Sequence, residues 1–566
     1  MNKPIGRLAI ALGVLFAALF VNLNIVQVVE GHSLRNNPQN RRVLLNEYAH
    51  PRGPIVASGT SIALSKATNG ELKYLRRYPW GPVFAPVTGY NSFTYGSSGI
   101  EEAENGILSG DDPRLFTSNL GDILTGRNPR GGTVVLTINK ATQQAAYRAL
   151  GNRRGAVVAL NPSTGAILAA VSKPSYDPNS LSSHNADEIA RAYSCYVELD
   201  TTRQPDETTR QLHHHIRAQL RARERRCRGV PENPTAYFRQ DPFGVSPLVN
   251  RAFREIYPSG SVFKIIDSAA ALSTGRYSPT TQIPAPNSYW PLHPGRTALC
   301  SSGTSVKTGP CIENFDGEIC QNGRTAPLAF AFAKSCNTAF AKLAVRLGGK
   351  AIAAEAHAFG LDNPYPGQGP PDFCDPPAFR TPLPVCRSTP GSQEDLAAPD
   401  TLAQTAIGQQ GVGITPLQAA MLAAAVAHHG TLMQPYLVQK ELGPNLSPLP
   451  VQRGGQLSQV LDPTTDQKLM DMMHGVVTAP EGTGLAANIP NMYVGGKTGT
   501  AEHCVSNSPK CPPPYDWFTG FALDKGEPKI AVSVIIENEA QGTGGITSAP
   551  VAKQVMLAYL RSPGGG

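Results

Sequence analysis

From Leu8 to Val21 the chain is almost unbrokenly apolar, and the run continues through Asn22, Leu23, Asn24, Ile25 and Val26 to Val29. A helix rises 1.5 Å per residue, so about twenty such residues cross a hydrocarbon core of ~30 Å. Lys3 and Arg7 precede the run, which places the amino terminus on the cytoplasmic side and the bulk of the chain outside. The stretch is longer than the apolar part of a secretory signal, and no small-x-small cleavage site follows it. It reads as an uncleaved anchor. The expected layout is a cytoplasmic tail over residues 1–7, a single-pass plasma-membrane anchor over 8–29, and an extracytoplasmic fold after that.

An exterior fold lives under oxidising conditions, and the 10 cysteines fit that compartment. Cys504 and Cys511 flank a short loop, as do Cys374 and Cys386. Cys300, Cys311 and Cys320 cluster, and Cys195 and Cys227 bracket an arginine-rich segment. These spacings match no standard zinc pattern, so local disulfides are expected, with pairing left open. If Cys336 is a free core thiol, at least one further cysteine is also unpaired.

With 566 residues, the chain is expected to hold two to four units at about 150 residues each. Its net charge of +8 is local: between Arg203 and Arg228 eight arginines face only Asp206, Glu207 and Glu224. Nucleic-acid binding is therefore not implied. Within that segment Leu212, Ile216 and Leu220 repeat every four residues among arginines and His213 to His215. Such a basic helix could lie on anionic lipid or wall polymer, or dock its stripe on its own domain. Three adjacent histidines cannot all face one ion from a helix, so no metal or other cofactor is expected.

Pro51-Arg52-Gly53-Pro54-Ile55 and the alternating Ile62 and Leu64 open a region dense in proline, glycine and aromatics between Tyr78 and Glu101, read as short strands and turns. Residues 30–150 are expected to form a non-catalytic spacer. A hairpin is predicted from Ala156–Leu160 and Ala166–Val171 around Asn161-Pro162-Ser163-Thr164-Gly165, opening a second large domain over 151–563. Residues 195–245 interrupt that domain. Pro327 to Ala344 reads as one alanine-rich helical stretch, and Thr415-Pro416 starts a long apolar helix through Ala427. Strands are expected over 493–502, 517–522 and 530–536, with a closing helix over 549–560. Helices flanked by antiparallel strands imply an α+β fold.

Tyr257-Pro258-Ser259-Gly260 breaks the backbone ahead of Ser261-Val262-Phe263-Lys264 and an apolar helical run to Leu272. Residues i and i+3 share a helix face, so the Lys264 amine can approach the Ser261 hydroxyl, which lies at the positive end of the helix dipole. An amine beside a hydroxyl is one way to activate a serine nucleophile. By itself the pair is equally a chance spacing. Two further sets follow in order, Ser335-Cys336-Asn337 and Lys497-Thr498-Gly499-Thr500. Taken singly these read as helix-interior polar residues and a strand-edge charge. A second Lys307-Thr308-Gly309 is followed by Pro310, which has no N–H to donate, and no strand surrounds it. Ser183-His184-Asn185 lies upstream of the nucleophile and is likewise a false match.

Ser-x-x-Lys, Ser-x-Asn and Lys-Thr-Gly in this order resemble the penicillin-binding proteins and class A β-lactamases. With the anchor, the Arg52-Gly53 segment, the 156–171 hairpin and the Gly408–Gly411 loop, the chain resembles a class B penicillin-binding protein over nearly its whole length. Thr88-Gly89-Tyr90 and Tyr95–Glu101 resemble the actinobacterial penicillin-binding protein A subgroup. The resemblance implies an anchor, an elongated mostly-β pedestal, and a transpeptidase domain with an antiparallel sheet flanked by helices. It implies a D,D-transpeptidase that cross-links peptidoglycan stem peptides on lipid II-derived strands through a serine acyl-enzyme and is acylated by β-lactams. Ser261 would attack the D-Ala–D-Ala carbonyl, Lys264 take its proton, Ser335 relay a proton to the leaving amine, and Asn337 hold Lys264 and the substrate amide. Lys497, Thr498 and Thr500, with Gly499 between them, would bind the terminal carboxylate, and the N–H groups of Ser261 and Thr500 would form the oxyanion hole. The alternatives are a D,D-carboxypeptidase or β-lactamase passing the acyl group to water, and an idle β-lactam-binding scaffold or sensor. No Glu-x-x-Leu-Asn motif is present to position a hydrolytic water. The spacer leaves little room for a glycosyltransferase domain, so polymerisation would come from a separate polytopic partner of the SEDS type.

Overall fold

The computed structural model describes residues 2–25, 45, 47–115, 130–202, 209–293, 295–296, 299–300, 310–361, 381–451, 453–502, 512–539 and 542–563. Helix α1 (Asn2–Asn24) carries the apolar run, with a mean hydropathy of 2.0 over Gly6–Leu23 and its leucines and phenylalanines exposed. It is long and apolar enough to cross a bilayer.

Strands β1 (Ile55–Ala57), β2 (Thr60–Ala67), β3 (Tyr74–Arg77) and β4 (Thr133–Leu136) begin a first sheet. The stretch between β3 and β4, expected as strands and turns, instead holds short helices Ala85–Thr88, Gly99–Ala103 and Asn105–Ser109 beside the two-residue strands Asn91–Ser92 and Gly96–Ser97. Buried Glu101 organises it. The Arg52 and Arg76 Nε groups each reach a Glu101 carboxylate oxygen at 2.6 Å, and the Tyr78 hydroxyl donates to it at 3.1 Å. Burial alone would raise the Glu101 pKa, but Arg76 and Arg52 hold it below the usual carboxylate range.

Helix α2 (Lys140–Leu150) follows, its first turn capped by Asn139, which accepts from the Thr142 N–H. The predicted hairpin is present as β5 (Gly155–Leu160) and β6 (Ile167–Lys173), buried almost throughout. Within the insertion, α3 (Thr209–Arg226) turns Leu212, Ile216 and Leu220 onto Leu199, Tyr237 and Phe238 and leaves the three histidines exposed. Its apolar stripe is thus buried in the protein itself. Cys195–Cys227 closes this unit. Ser183-His184-Asn185 is a helix cap: the Asn185 side chain accepts from the Asp187 and Glu188 N–H groups.

Beyond it lie α4 (Lys264–Ser273), α5 (Asn337–Leu347), α6 (Pro416–Ala427), β7 (Val438–Leu442), β8 (Pro448–Leu449), β9 (Tyr493–Ala501), β10 (Tyr515–Asp524), β11 (Glu527–Ile536) and α7 (Ser548–Leu560). The continuous helix expected over 327–344 is broken into Leu328–Ala333 and α5, with Ser335 in the left-handed region at φ 63° between them.

Two sheets order these strands. The first runs β8-β7-β4-β1-β2-β3, so a segment from late in the chain completes a sheet begun near its start. The second, β9-β10-β11-β5-β6, is antiparallel throughout, as an α+β fold of this class requires. Its alternating side chains build two cores. Val157, Ala159, Phe518 and Val532 face α2 and α7; Val158, Leu160, Phe521 and Ala531 face the fully buried α6. At about 1.5–3 kcal/mol for each large apolar side chain fully buried, these faces are what hold the sheet rigid. Strand β9 is its edge, and the nucleophile segment packs against it.

Candidate active site

Ser261 sits in a single 3-10 turn, Gly260–Phe263, which passes directly into α4 at Lys264. The i, i+3 spacing brings the Lys264 Nζ to 3.0 Å from the Ser261 Oγ. The same nitrogen lies 2.8 Å from the Ser335 carbonyl oxygen, 3.2 Å from the Ser335 Oγ and 2.7 Å from the Asn337 Oδ1. The Asn337 amide donates its N–H to the Glu313 carbonyl at 3.1 Å, which fixes its oxygen toward the lysine. The carbonyl and amide oxygens can only accept. In a neutral amine they take both N–H groups and leave the lone pair for a hydroxyl proton.

Lys264 is wholly buried. Burial pushes its pKa well below the ordinary lysine value, and the charge of Lys497 pushes it further the same way. Asp267 shares its helix and is wholly buried with neither carboxylate oxygen hydrogen-bonded, so burial drives its pKa well up, against the pull of the Lys264 charge. Its charge acts on Lys264 in the opposite direction to burial and Lys497, which outweigh it.

Lys497 on β9 donates to the Ser335 Oγ at 2.9 Å and to the Thr498 carbonyl at 3.0 Å. Burial lowers its pKa to about 7. Two buried amines therefore share the Ser335 hydroxyl, forming a chain Ser261–Lys264–Ser335–Lys497. Above it opens a cavity of about 260 Å³ lined by Ser261, Ser335, Asn337, Thr498, Gly499 and Thr500. All eight sequence-predicted residues meet here, six on the cavity wall and the two lysines beneath it. Alternate N–H groups of an edge strand point away from its sheet, so β9 offers backbone donors beside the Ser261 turn.

The cavity also takes walls that sequence reasoning missed. Thr483 shares a 2.6 Å hydroxyl–hydroxyl hydrogen bond with Thr498, and Thr543-Gly544-Gly545 lines the cavity beside them, Gly545 against the Thr483 carbonyl and Gly544 near the Gly499 carbonyl. Phe315 and Ile319, both more than half exposed, also line the cavity, with Glu318, whose carboxylate pairs with Lys334 at 2.8 Å. No motif marks these positions. Cys320 and Cys336 line the cavity and are bonded to each other, so Cys336 is not the free thiol considered from sequence. Cys300 pairs with Cys311. Cys374, Cys504, Cys511 and the second Lys307-Thr308-Gly309 lie outside the described residues.

Residues 155–557 match the penicillin binding protein transpeptidase domain, and residues 52–134 match the penicillin binding protein A dimerisation domain. The chain belongs to the penicillin-binding transpeptidase family. It is 40% identical to the peptidoglycan D,D-transpeptidase PbpA of Mycolicibacterium smegmatis, over 99% of both chains, and 39% identical to that of Mycobacterium tuberculosis over the same shares. The solved structure of penicillin-binding protein A from M. tuberculosis as a ceftriaxone acyl-enzyme complex superposes with a TM-score of 0.73 at 38% identity, covering 91% of this chain and 100% of that one. Its imipenem acyl-enzyme complex gives 0.72 with the same identity and coverage. The family assignment agrees with the resemblance read from the three motifs, and the dimerisation-domain match falls on the segments that resembled the penicillin-binding protein A subgroup.

Proposed function

We propose that the chain is a membrane-anchored peptidoglycan D,D-transpeptidase working through an acyl-enzyme at Ser261. The observation that carries this is the single Lys264 nitrogen within hydrogen-bond reach of Ser261, Ser335 and Asn337, under a cavity edged by β9. The Ser261 Oγ attacks the carbonyl carbon of the D-Ala–D-Ala bond of a stem peptide, and its proton passes to the neutral Lys264. The N–H groups of Ser261 and Thr500 receive the oxyanion; losing one such donor costs about 100- to 1000-fold in rate. A proton returns through Ser335 to the departing D-Ala amine, leaving an ester on Ser261. An acceptor amine from a second stem peptide then attacks the ester and restores the serine. Thr498 and Thr500 take the terminal carboxylate, with Gly499 between them and the charge of Lys497 beneath.

A β-lactam presents the same carbonyl and carboxylate and would stop at the ester. The anchor holds the amino terminus in the cytoplasm and the site outside, with residues 30–150 as a pedestal below a transpeptidase domain over 151–563. A SEDS-type glycosyltransferase in the membrane would supply the glycan strands.

Labelled penicillin added to the full chain in detergent should mark one tryptic peptide, the one holding Ser261, and the Ser261→Ala protein should stay unlabelled. Full labelling of that variant refutes the mechanism. An acyl-enzyme persisting over many minutes supports a synthase, while turnover within seconds points to the β-lactamase reading.

A further inference from the structure

Cys336 lies between two residues of the site, Ser335 and Asn337, and its partner Cys320 is 16 positions away on the cavity wall. Three features meet at this bond. Ser335 holds a left-handed backbone that side chains other than glycine rarely adopt, and such residues persist only where their surroundings force them. The strap from Ile312 to Cys320 reaches this turn by contacts at separate points. The Asn337 amide donates to the Glu313 carbonyl, the Thr338 N–H donates to the Asn314 Oδ1 at 3.1 Å, and Lys334 pairs with Glu318. The strap also carries Phe315 and Ile319, whose exposed side chains form the apolar side of the cavity. The ion pair is half in solvent and holds little. Among these ties the disulfide is the covalent one, and it is buried, with Cys320 at 1% and Cys336 at 2% exposure.

We infer that the Cys320–Cys336 disulfide is a positioning element of acylation: it holds the Ser335–Asn337 turn on Lys264 and fixes the 312–320 strap as one wall of the substrate cleft. The inference rests on Ser261 being the acylated residue. With the bond open, the turn is free to relax out of the left-handed region. Ser335 and Asn337 then leave Lys264, and the chemical step slows more than binding does.

The test uses the full chain in detergent and a fluorescent penicillin, with the acylation rate at saturation and the concentration for half-maximal rate measured separately. Cys320→Ser/Cys336→Ser should lose about 100-fold in the saturating rate, the scale expected for a catalytic group displaced by about 1 Å. Its half-saturating concentration should change less than about threefold on that same positional argument. Cys195→Ser/Cys227→Ser, which opens a bond in the insertion, should acylate like the wild type. A 320/336 variant acylating at the wild-type rate overturns the inference, as does an equal loss in the 195/227 variant. Wild-type protein that is never acylated refutes instead the reading of Ser261.

Should the double variant fail to fold, the wild type is titrated with dithiothreitol. Each equivalent closes to its cyclic disulfide and delivers two electrons and two protons to one cystine. Alkylation and mass spectrometry report which bond has opened, and thermal melting reports the fold. In samples that keep the native melt, an acylation rate that tracks the 320–336 bond and returns on reoxidation supports the inference. A rate that ignores that bond, or follows another, overturns it.

Discussion

Gly408→Ala tests how tightly the nucleophile is held by backbone alone. Gly408 has φ +73°, and a Cβ built there would stand 1.9 Å from the Gly260 carbonyl oxygen and 2.6 Å from the Ser259 Oγ. Contacts under 3.0 Å do not persist. Gly260 cannot yield freely, because it donates its N–H to the Gly408 carbonyl at 3.0 Å and its own Cβ position is 2.7 Å from the Thr500 carbonyl oxygen. The loop, the nucleophile turn and β9 are thus stacked backbone on backbone. Relieving the clash moves the turn by about 1 Å, and a displacement of that size costs about 100-fold in a positioned reaction. The left-handed conformation adds about 1–2 kcal/mol of strain for alanine. Gly275→Ala separates the two effects: Gly275 has φ +68° but nothing within 4 Å of its Cβ position. Stopped-flow acylation by a fluorescent penicillin should show about a 100-fold loss for Gly408→Ala and a rate within about threefold of wild type for Gly275→Ala, on the same positional scale. Both variants should melt a few degrees lower. Gly408→Ala acylating within threefold of the wild type refutes the claim that this contact sets the position of Ser261.

Lys497→Met removes the cation that helps depress the Lys264 pKa. Lys264 then binds its proton more tightly, so the acid limb of the pH–acylation profile should move to higher pH; an unmoved limb, or one moved to lower pH, denies the coupling. Glu101→Gln strands two buried guanidinium groups and should lower the unfolding free energy by about 3–5 kcal/mol in urea titrations near pH 7, while leaving acylation at Ser261 unchanged. Because the Glu101 pKa is depressed in the fold, its contribution is complete above the unfolded value near 4.5 and is lost as pH falls through the folded one. The variant should therefore lose less stability than the wild type over that acid range, and a parallel loss argues against the buried pairs.

Local signals carried most of the elements into the right places. Thr415 before Pro416 starts α6, its side chain accepting from the Gln418 N–H, and Asn161 to Gly165 turns the hairpin between β5 and β6. Signals that depend on distant parts of the chain were not legible. Strand β7 pairs with β4 across some three hundred positions, and nothing in its own residues says so. The short helices around Glu101 form because Arg52 and Arg76 converge on one buried carboxylate, a tertiary effect that overrides a local pattern of glycine, proline and aromatics. The pairing of Cys320 with Cys336 has the same character. Cys320 stands near Cys300 and Cys311 in sequence, yet the strap carries it back to the cavity.

The broken helix at Ser335 shows why one of these misreadings concerns chemistry rather than boundaries. Alanine-rich residues from Pro327 to Ala344 favour a helix by propensity. In a continuous helix, residues two apart point about 200° away from each other, so Ser335 and Asn337 would not face a common partner. The site needs both on one nitrogen. The break supplies this: Ser335 turns left-handed, its carbonyl leaves the helical ladder and accepts from Lys264, and Asn337 begins a new helix with its side chain on the same amine. The turn spends backbone stability to gather three oxygens within 3.2 Å of the Lys264 nitrogen. Propensity therefore fails at the point where the backbone is shaped for proton transfer, and the neighbouring Cys336 is where the fold anchors that shape.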